Sequence, residues 1–394
     1  MIEGWRWFGP VDKITLPEVA QTGATAVVTA LHDIPYGVVW SVEAIRERQK
    51  IIADADVGLS WQVVESLPIH EDIKKGTGDL TCLFANYRQS MANLAACGVK
   101  TICYNFMPLL DWTRTTLDAP VRGGGTALRF SAPQMAAFEM FMLKRPEAED
   151  DYTPEAIAGA KVWFQQSTDA MQQTLLDSIM AGLPGAYDRY SVESLRNALS
   201  GYEGLDRDAL RANYKRFLDE VIPTASDLGM KLCVHPDDPP RDILGLPRIV
   251  SNAADIDWIL SAVPDRSNGL TLCSGSLGAN PVNDVPAIAR QFADRIHFAH
   301  LRNVAKEADG SFQEADHLTG DTNMVDLIAA LLAEEARRAD EGRTDAQIVM
   351  RPDHGHELGP DLGRGAHPGY PFIGRLRGLA ELRGVIAGLS YSVN

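Results

Sequence analysis

Basic runs, long apolar runs and glycine patterns for nucleotides are all missing from this 394-residue chain. Its 53 Asp and Glu outweigh 37 Lys and Arg, giving a formal charge of −16. With no Lys/Arg cluster to offset that field, a nucleic-acid duplex or an anionic membrane would be repelled, and neither is expected as a partner. No apolar stretch approaches the length that spans a bilayer, and Met1-Ile-Glu-Gly-Trp-Arg-Trp7 lacks the basic-then-apolar order of a targeting segment. A cytoplasmic location is therefore expected. No Gly-x-Gly-x-x-Gly follows an early strand and no glycine-rich loop ends in Lys-Ser/Thr, so no nucleotide cofactor is indicated. Cysteine is scarce as well: five scattered residues, an odd number, do not make a disulfide framework. Cys97, Cys103 and Cys233 lie in or beside apolar segments and read as small core hydrophobes. Cys273 differs, because the polar loop Ser274-Gly-Ser-Leu-Gly-Ala-Asn-Pro281 opens directly after its strand.

What the chain does have is alternation. At 45% hydrophobic and 23% charged it can bury a substantial core. Trp5–Phe8 is expected as the first strand, followed by a helix over Leu16–Thr22 that Gly23 ends. Ala24–Leu31 is the second, with a helix opening at an N-cap, Ser41. Leu59–Val64 is the third, with a helix over Leu80–Ala96 stopped by Gly98, and Lys100–Phe106 is the fourth. The rhythm lapses over 111–204, where the turn Arg122-Gly-Gly-Gly-Thr126 precedes helical, often acidic segments without a convincing strand. We read 111–204 as an inserted helical subdomain or arm that either caps a site or reaches a partner subunit, which makes a homo-oligomer the expected assembly. Alternation resumes with a helix over Asp208–Leu228. Strands at Lys231–His235, Leu270–Cys273, Ile296–His300 and Gln347–Met350 follow, separated by helices at Ile256–Val263, Val285–Phe292 and Met324–Ala339. A last helix is expected over Phe372–Leu382. Eight strands alternating with helices, each strand ending in polar residues, favour a single α/β domain folded as a (β/α)8 TIM barrel over an open doubly wound sheet.

A barrel sets consecutive strand ends side by side around one mouth. The last four present His235, Cys273, His300 and Asp353, the last of these in Arg351-Pro-Asp-His-Gly355. Two imidazoles, a thiolate and a carboxylate suit Zn²⁺, Fe²⁺ or Mn²⁺ with a position left for substrate, and match an oxygen-only magnesium site poorly. Arg302 and Asn303 follow His300 at once. A guanidinium there either pairs bidentately with a substrate carboxylate, serving binding and catalysis, or joins one of the many acids in an ion pair. His354 adjoins an expected ligand and is a natural proton shuttle at neutral pH. Tyr370, in His367-Pro-Gly-Tyr-Pro371, either exchanges a proton, if a metal or Arg lowers its pKa, or simply packs the loop. Asn105 and His317, the latter in Glu314-Ala-Asp-His-Leu-Thr-Gly-Asp321, are further candidates for the substrate pocket, whereas His297 reads as structural.

Several of these segments carry a family resemblance. Trp5-Arg-Trp-Phe-Gly-Pro10, Val27-Val-Thr-Ala-Leu-His32, Trp40-Ser-Val-Glu43, His235-Pro-Asp-Asp-Pro-Pro240, Leu272-Cys-Ser-Gly-Ser276, His300-Leu-Arg-Asn303, Arg351-Pro-Asp-His-Gly355 and Gly374-Arg-Leu-Arg-Gly-Leu-Ala-Glu-Leu-Arg-Gly384 resemble, in that order, the mannonate dehydratases of the hexuronate pathway. The match runs nearly end to end. It implies a xylose-isomerase-like barrel using one Mn²⁺ or Fe²⁺ per subunit to convert D-mannonate to 2-keto-3-deoxy-D-gluconate and water. It also implies His235, Cys273, His300 and Asp353 as the metal ligands, with His354 and Tyr370 as acid/base residues. The alternative is a metal-dependent sugar isomerase or epimerase on the same barrel, whose metals usually sit among several Glu and Asp ligands. A non-catalytic sugar-acid binder would need no proton shuttle beside the metal.

Overall fold

Short β-branched and aromatic runs that are buried on both faces suit a closed parallel sheet wrapped by helices. The computed structural model, which describes residues 1–182 and 190–392, has that arrangement. Its strands in chain order are β1 (Ile2–Arg6), β2 (Ala26–Thr29), β3 (Ser60–Glu65), β4 (Thr101–Tyr104), β5 (Thr116–Pro120), β6 (Thr126–Phe130), β7 (Lys231–Val234), β8 (Asn268–Cys273), β9 (Ile296–His300), β10 (Asn303–Lys306), β11 (Phe312–Ala315) and β12 (Val349–Arg351). Eight of them close into a barrel in the order β1-β12-β9-β8-β7-β4-β3-β2, with parallel neighbours throughout. The expected TIM barrel is the fold found. The first strand begins earlier than patterning placed it, because Ile2 already pairs with Val349 of β12.

Every residue of β2, β8 and β9 is buried. Val28, Val63, Cys103, Cys233 and Phe298 pack together in one cluster of strand residues, so two cysteines serve as core hydrophobes; all five cysteines of the chain are free thiols. The alternate strand residues, such as Val27, Ile102 and Leu272, pack with Ile45, Met91, Phe217 and Leu327 of the surrounding helices. Helix starts follow their caps: Ser41 accepts from Ala44 N ahead of Val42–Asp54, and Asp79 accepts from Cys82 N ahead of Leu80–Ala96. The final helix, Phe372–Ser392, runs past Leu382 because Val385, Ile386 and Leu389 find the core and reward continuation.

A second sheet is antiparallel, in the order β10-β11-β6-β5. The stretch 111–204 is thus not helical throughout. It opens with the β5–β6 hairpin, turned by the Gly-rich segment, before helices at Ala132–Ala137, Pro154–Gln166, Asp169–Ile179 and Val192–Ser200; residues 183–189 lie outside the described residues. Patterning missed β5 because only Ala119 of its five residues is buried, which leaves no apolar alternation to read. These helices share a core with Ile243 and Leu244, beyond β7, and with Val304 and Phe312 of the β10–β11 hairpin. Among the described residues no helix is long and apolar enough to cross a membrane.

Candidate metal centre and active site

Register brings the first ligand candidates together. Cys273 at the end of β8 and Arg351 at the end of β12 both pair with His300 at the end of β9, while His235 N donates to Tyr104 O just beyond β7. His235 Nε2 faces His300 Nδ1 at 3.0 Å, and donor atoms of His235, Cys273 and His300 all lie within 4.8 Å of one another. Asp353 completes the group, its Oδ2 being 3.7 Å from Cys273 Sγ and 3.9 Å from His300 Nδ1. Asp353 adopts φ +45°, a left-handed conformation that Asp tolerates better than most residues, two residues beyond the end of β12.

The chemistry of this set fits a divalent cation. The Nδ1 of His235 stands 2.6 Å from Pro236 O, which places the ring proton there and leaves Nε2 with a lone pair. Burial holds the His235 pKa down, against the raising pull of Asp353 and Glu65, and so keeps the ring neutral. Burial would raise Asp353, yet Arg351, with His354, His300 and Arg302, holds it well below the usual carboxylate range. Arg351 is the clamp: Nη1 donates to Asp353 Oδ1 at 2.6 Å, while Nη2 and Nε donate to Glu65 Oε1 and Oε2 at 2.6 and 3.0 Å. Cys273 Sγ accepts from Ser276 N and Ser276 Oγ at 3.4 and 3.1 Å. A neutral imidazole, an ionised carboxylate, a second imidazole and a sulfur converge, which is the donor set of a Mn²⁺, Fe²⁺ or Zn²⁺ site.

Beside these groups lies a cavity whose lining includes Asn105, Trp112, Asp238, Arg302, His354 and Tyr370. His354 and Tyr370 meet edge to face, with centroids 4.9 Å apart at 87°. Tyr370 Oη points at Asp353 Oδ1 from 3.5 Å. Burial and the charge of Asp353 push the phenol pKa up, more strongly than Arg351 and Arg6 pull it down, so Tyr370 stays protonated. This is opposite to the lowering by Arg that the sequence left open.

Arg302 is committed to protein acids. Its Nη2 donates to Asp238 Oδ2 at 2.7 Å, its Nη1 to Glu314 Oε1 at 3.1 Å, and its Nε faces Asp353 Oδ2 at 3.3 Å. Arg114 grips the same acids, with bidentate bonds to Asp238 at 2.7 and 3.0 Å and one to Glu314 at 3.0 Å. Burial would raise Glu314, but Arg302, with His354 and Arg114, brings it down to about 2.

Asn303 and His317 are placed elsewhere. The Asn303 amide donates to His317 O and Thr322 O at 3.0 and 2.9 Å and accepts from Val304 N and Thr322 N, bracing the loop after β11. His317 Nε2 stands 2.8 Å from Pro352 O and supports the turn before Asp353 from behind. Neither is among the residues lining the cavity beside the candidate ligands.

The family model for D-mannonate dehydratase (UxuA) matches residues 1–393. The chain belongs to the D-mannonate dehydratase family. It is 52% identical over 382 residues to a mannonate dehydratase of Chromohalobacter salexigens, covering 97% of both chains, and 50% identical over 386 residues to one of Marinomonas sp. (strain MWYL1), covering 98% of both. Among solved structures it is similar to the mannonate dehydratase of Streptococcus suis serotype 2, with a TM-score of 0.77 and 31% identity, covering 100% of this chain and 94% of that one. A D-psicose 3-epimerase shares the barrel alone, with a TM-score of 0.51 at 13% identity, covering 98% of this chain and 100% of the other. As a member of the dehydratase family the chain is an enzyme, a hydro-lyase.

In this dehydratase, sequence reasoning missed Glu65, Arg114, Asp238, Glu314 and Arg351. Asp238 and Arg351 stood inside motifs noted for their neighbours. Glu314 had a local signal too: Asp309-Gly310 between Asn303–Lys306 and Phe312–Ala315 is a hairpin turn, and β11 buries Phe312 and Glu314 on alternate positions. Arg114 had none, since its partners are 124 and 200 residues away.

Proposed function

We propose that His235, Cys273, His300 and Asp353 hold one Mn²⁺ or Fe²⁺ ion and that the adjoining cavity converts D-mannonate to 2-keto-3-deoxy-D-gluconate and water. The observation carrying this reading is that a thiol, two imidazoles and an ionised carboxylate meet within one hydrogen-bonded cluster beside His354 and Tyr370. When bound, the ion supplies positive charge that offsets the second negative charge developing next to the substrate carboxylate as C2 loses its proton. His354 takes the C2 proton. Tyr370, kept protonated by burial and by Asp353, gives its proton to the departing 3-hydroxyl, which leaves as water. The enol ketonises, and proton return from His354 to Tyr370 through solvent resets the pair. Arg302, held by Asp238, Glu314 and Asp353, fixes the cavity wall rather than seeking a mobile carboxylate. The enzyme works in the cytoplasm as a homo-oligomer and needs no nucleic acid or membrane.

The test is direct. Metal-free protein is reconstituted with Mn²⁺ or, anaerobically, with Fe²⁺, then given D-mannonate, and the 2-keto-3-deoxy acid is assayed beside an EDTA-treated control. Product with either ion and none with EDTA is expected. Absence of product with every divalent metal tried would overturn the reading. So would near-full turnover in both His354→Asn and Tyr370→Phe.

A further inference from the structure

His354 is not held by the barrel alone. Its Nδ1 stands 2.9 Å from Glu314 Oε1, and Glu314 sits on β11, in the antiparallel sheet built outside the barrel. Both side chains are buried, at 3% and 2% exposure, so no solvent substitutes for this contact. A second neighbour, Arg302 Nη1, touches the same nitrogen. The two favour opposite tautomers: a carboxylate oxygen requires a hydrogen on Nδ1, whereas a guanidinium requires a lone pair there. Arg302 Nη1 already has Glu314 Oε1 as an acceptor, and an ionised oxygen is the stronger acceptor of the two. Without a hydrogen on Nδ1, the Glu314 oxygen and the imidazole lone pair would face each other at contact distance.

We propose that Glu314 is a positioning residue for His354: its carboxylate accepts from Nδ1–H, fixes the ring's plane and tautomer, and leaves Nε2 as the nitrogen that receives the C2 proton. Arg114 and Arg302 anchor the carboxylate so that it cannot swing away. The accessory sheet thereby takes part in the chemistry, since β11 delivers the group that sets the barrel histidine's working nitrogen. This rests on His354 being the proton-moving residue.

Glu314→Gln, Glu314→Leu and His354→Asn are compared with the parent enzyme. Turnover is measured in the Mn²⁺ form, and ring tautomers by ¹⁵N-histidine NMR in the diamagnetic Zn²⁺ form, the His354 signal being assigned by its loss in His354→Asn. The parent is expected to show Nδ1–H. Gln keeps an accepting oxygen, so its tautomer is retained and kcat falls by no more than about 10-fold; Leu shifts the tautomer to Nε2–H and lowers kcat about 100-fold, with KM within about 3-fold in both. An Nε2–H parent, equal loss in Gln and Leu, or an effect confined to KM would overturn the proposal. If Leu does not fold, the parent spectrum and the Gln variant still decide. Full turnover in His354→Asn would instead overturn the underlying role of His354, a result distinct from normal turnover in the Glu314 variants alone.

Discussion

Arg351 Nη1 lies 2.6 Å from Asp353 Oδ1 across the single residue Pro352, and the same guanidinium binds Glu65 of β3 through its other nitrogens. One buried cation therefore balances two buried acids, one at the end of β3 and one just past β12. Removing it takes the main counter-charge from both, leaving Asp353 to Arg302 at 3.3 Å and Glu65 to His300 at 3.4 Å. Arg351→Met is expected to destabilise the metal-free protein by about 3–5 kcal/mol. Added Mn²⁺ should raise its melting temperature more than the parent's, because a cation at Asp353 replaces part of the lost charge; an equal rise in both proteins would count against Asp353 as a ligand.

The two kinds of buried cysteine should separate cleanly. Cys273→Ala removes the sulfur from the His235 and His300 group and is expected to weaken Mn²⁺ binding at least about 10-fold, read by metal titration. Cys233→Ala removes only core volume, so metal content should be unchanged while stability drops by about 1 kcal/mol. Equal metal loss in both would point to a packing effect.

Gly275 follows Cys273 closely, and a Cβ there would overlap Nε and Cγ of Arg302. That guanidinium is pinned by three acids and has nowhere to retreat. Gly275→Ala is thus expected to displace Arg302 and lower kcat/KM by about 10–100-fold, as loss of an oriented outer partner typically does. Steady-state kinetics with a circular-dichroism check of folding would measure it.

Far from the cavity, His297 gives a pH dependence of known sign. Burial, with Lys231 and Arg338, lowers its pKa to about 3, while the unfolded ring titrates near about 6.5. Between these values the unfolded chain binds the proton and the folded one does not. Stability is therefore full above about pH 6.5 and falls as pH drops towards about 3, by about 1.4 kcal/mol per unit from this ring. His297→Gln keeps a donor for Arg266 O, which the ring's Nε2 meets at 2.9 Å, and should flatten the slope by that amount in urea melts across the window.

Much of the site was legible because its signals are local. A parallel strand buried on both faces reads as an apolar run, and a Cys, His or Asp at or just past its end breaks that run, which marks it as a candidate for the barrel mouth. His235, Cys273, His300 and Asp353 were visible for that reason, as was the barrel that unites them. The hairpins of the second sheet were not, since β5 buries only one residue and β10–β11 fall between Ile296–His300 and the helix at Met324, where patterning assigned no element.

The sequence by itself determined the alternation of strands and helices and the chemical identity of the groups at the strand ends, because helix period, capping and burial are set by near neighbours. Only the tertiary structure decided which charges face one another. Arg302 could have met a substrate or an acid, and it is the packing of the second sheet beside the segment after β7 that sets Glu314 of β11 and Asp238 against it. His354 could have used either nitrogen, and a carboxylate 40 residues earlier in the chain occupies one of them. Contacts of that reach depend on how whole layers pack, and no local pattern encodes them.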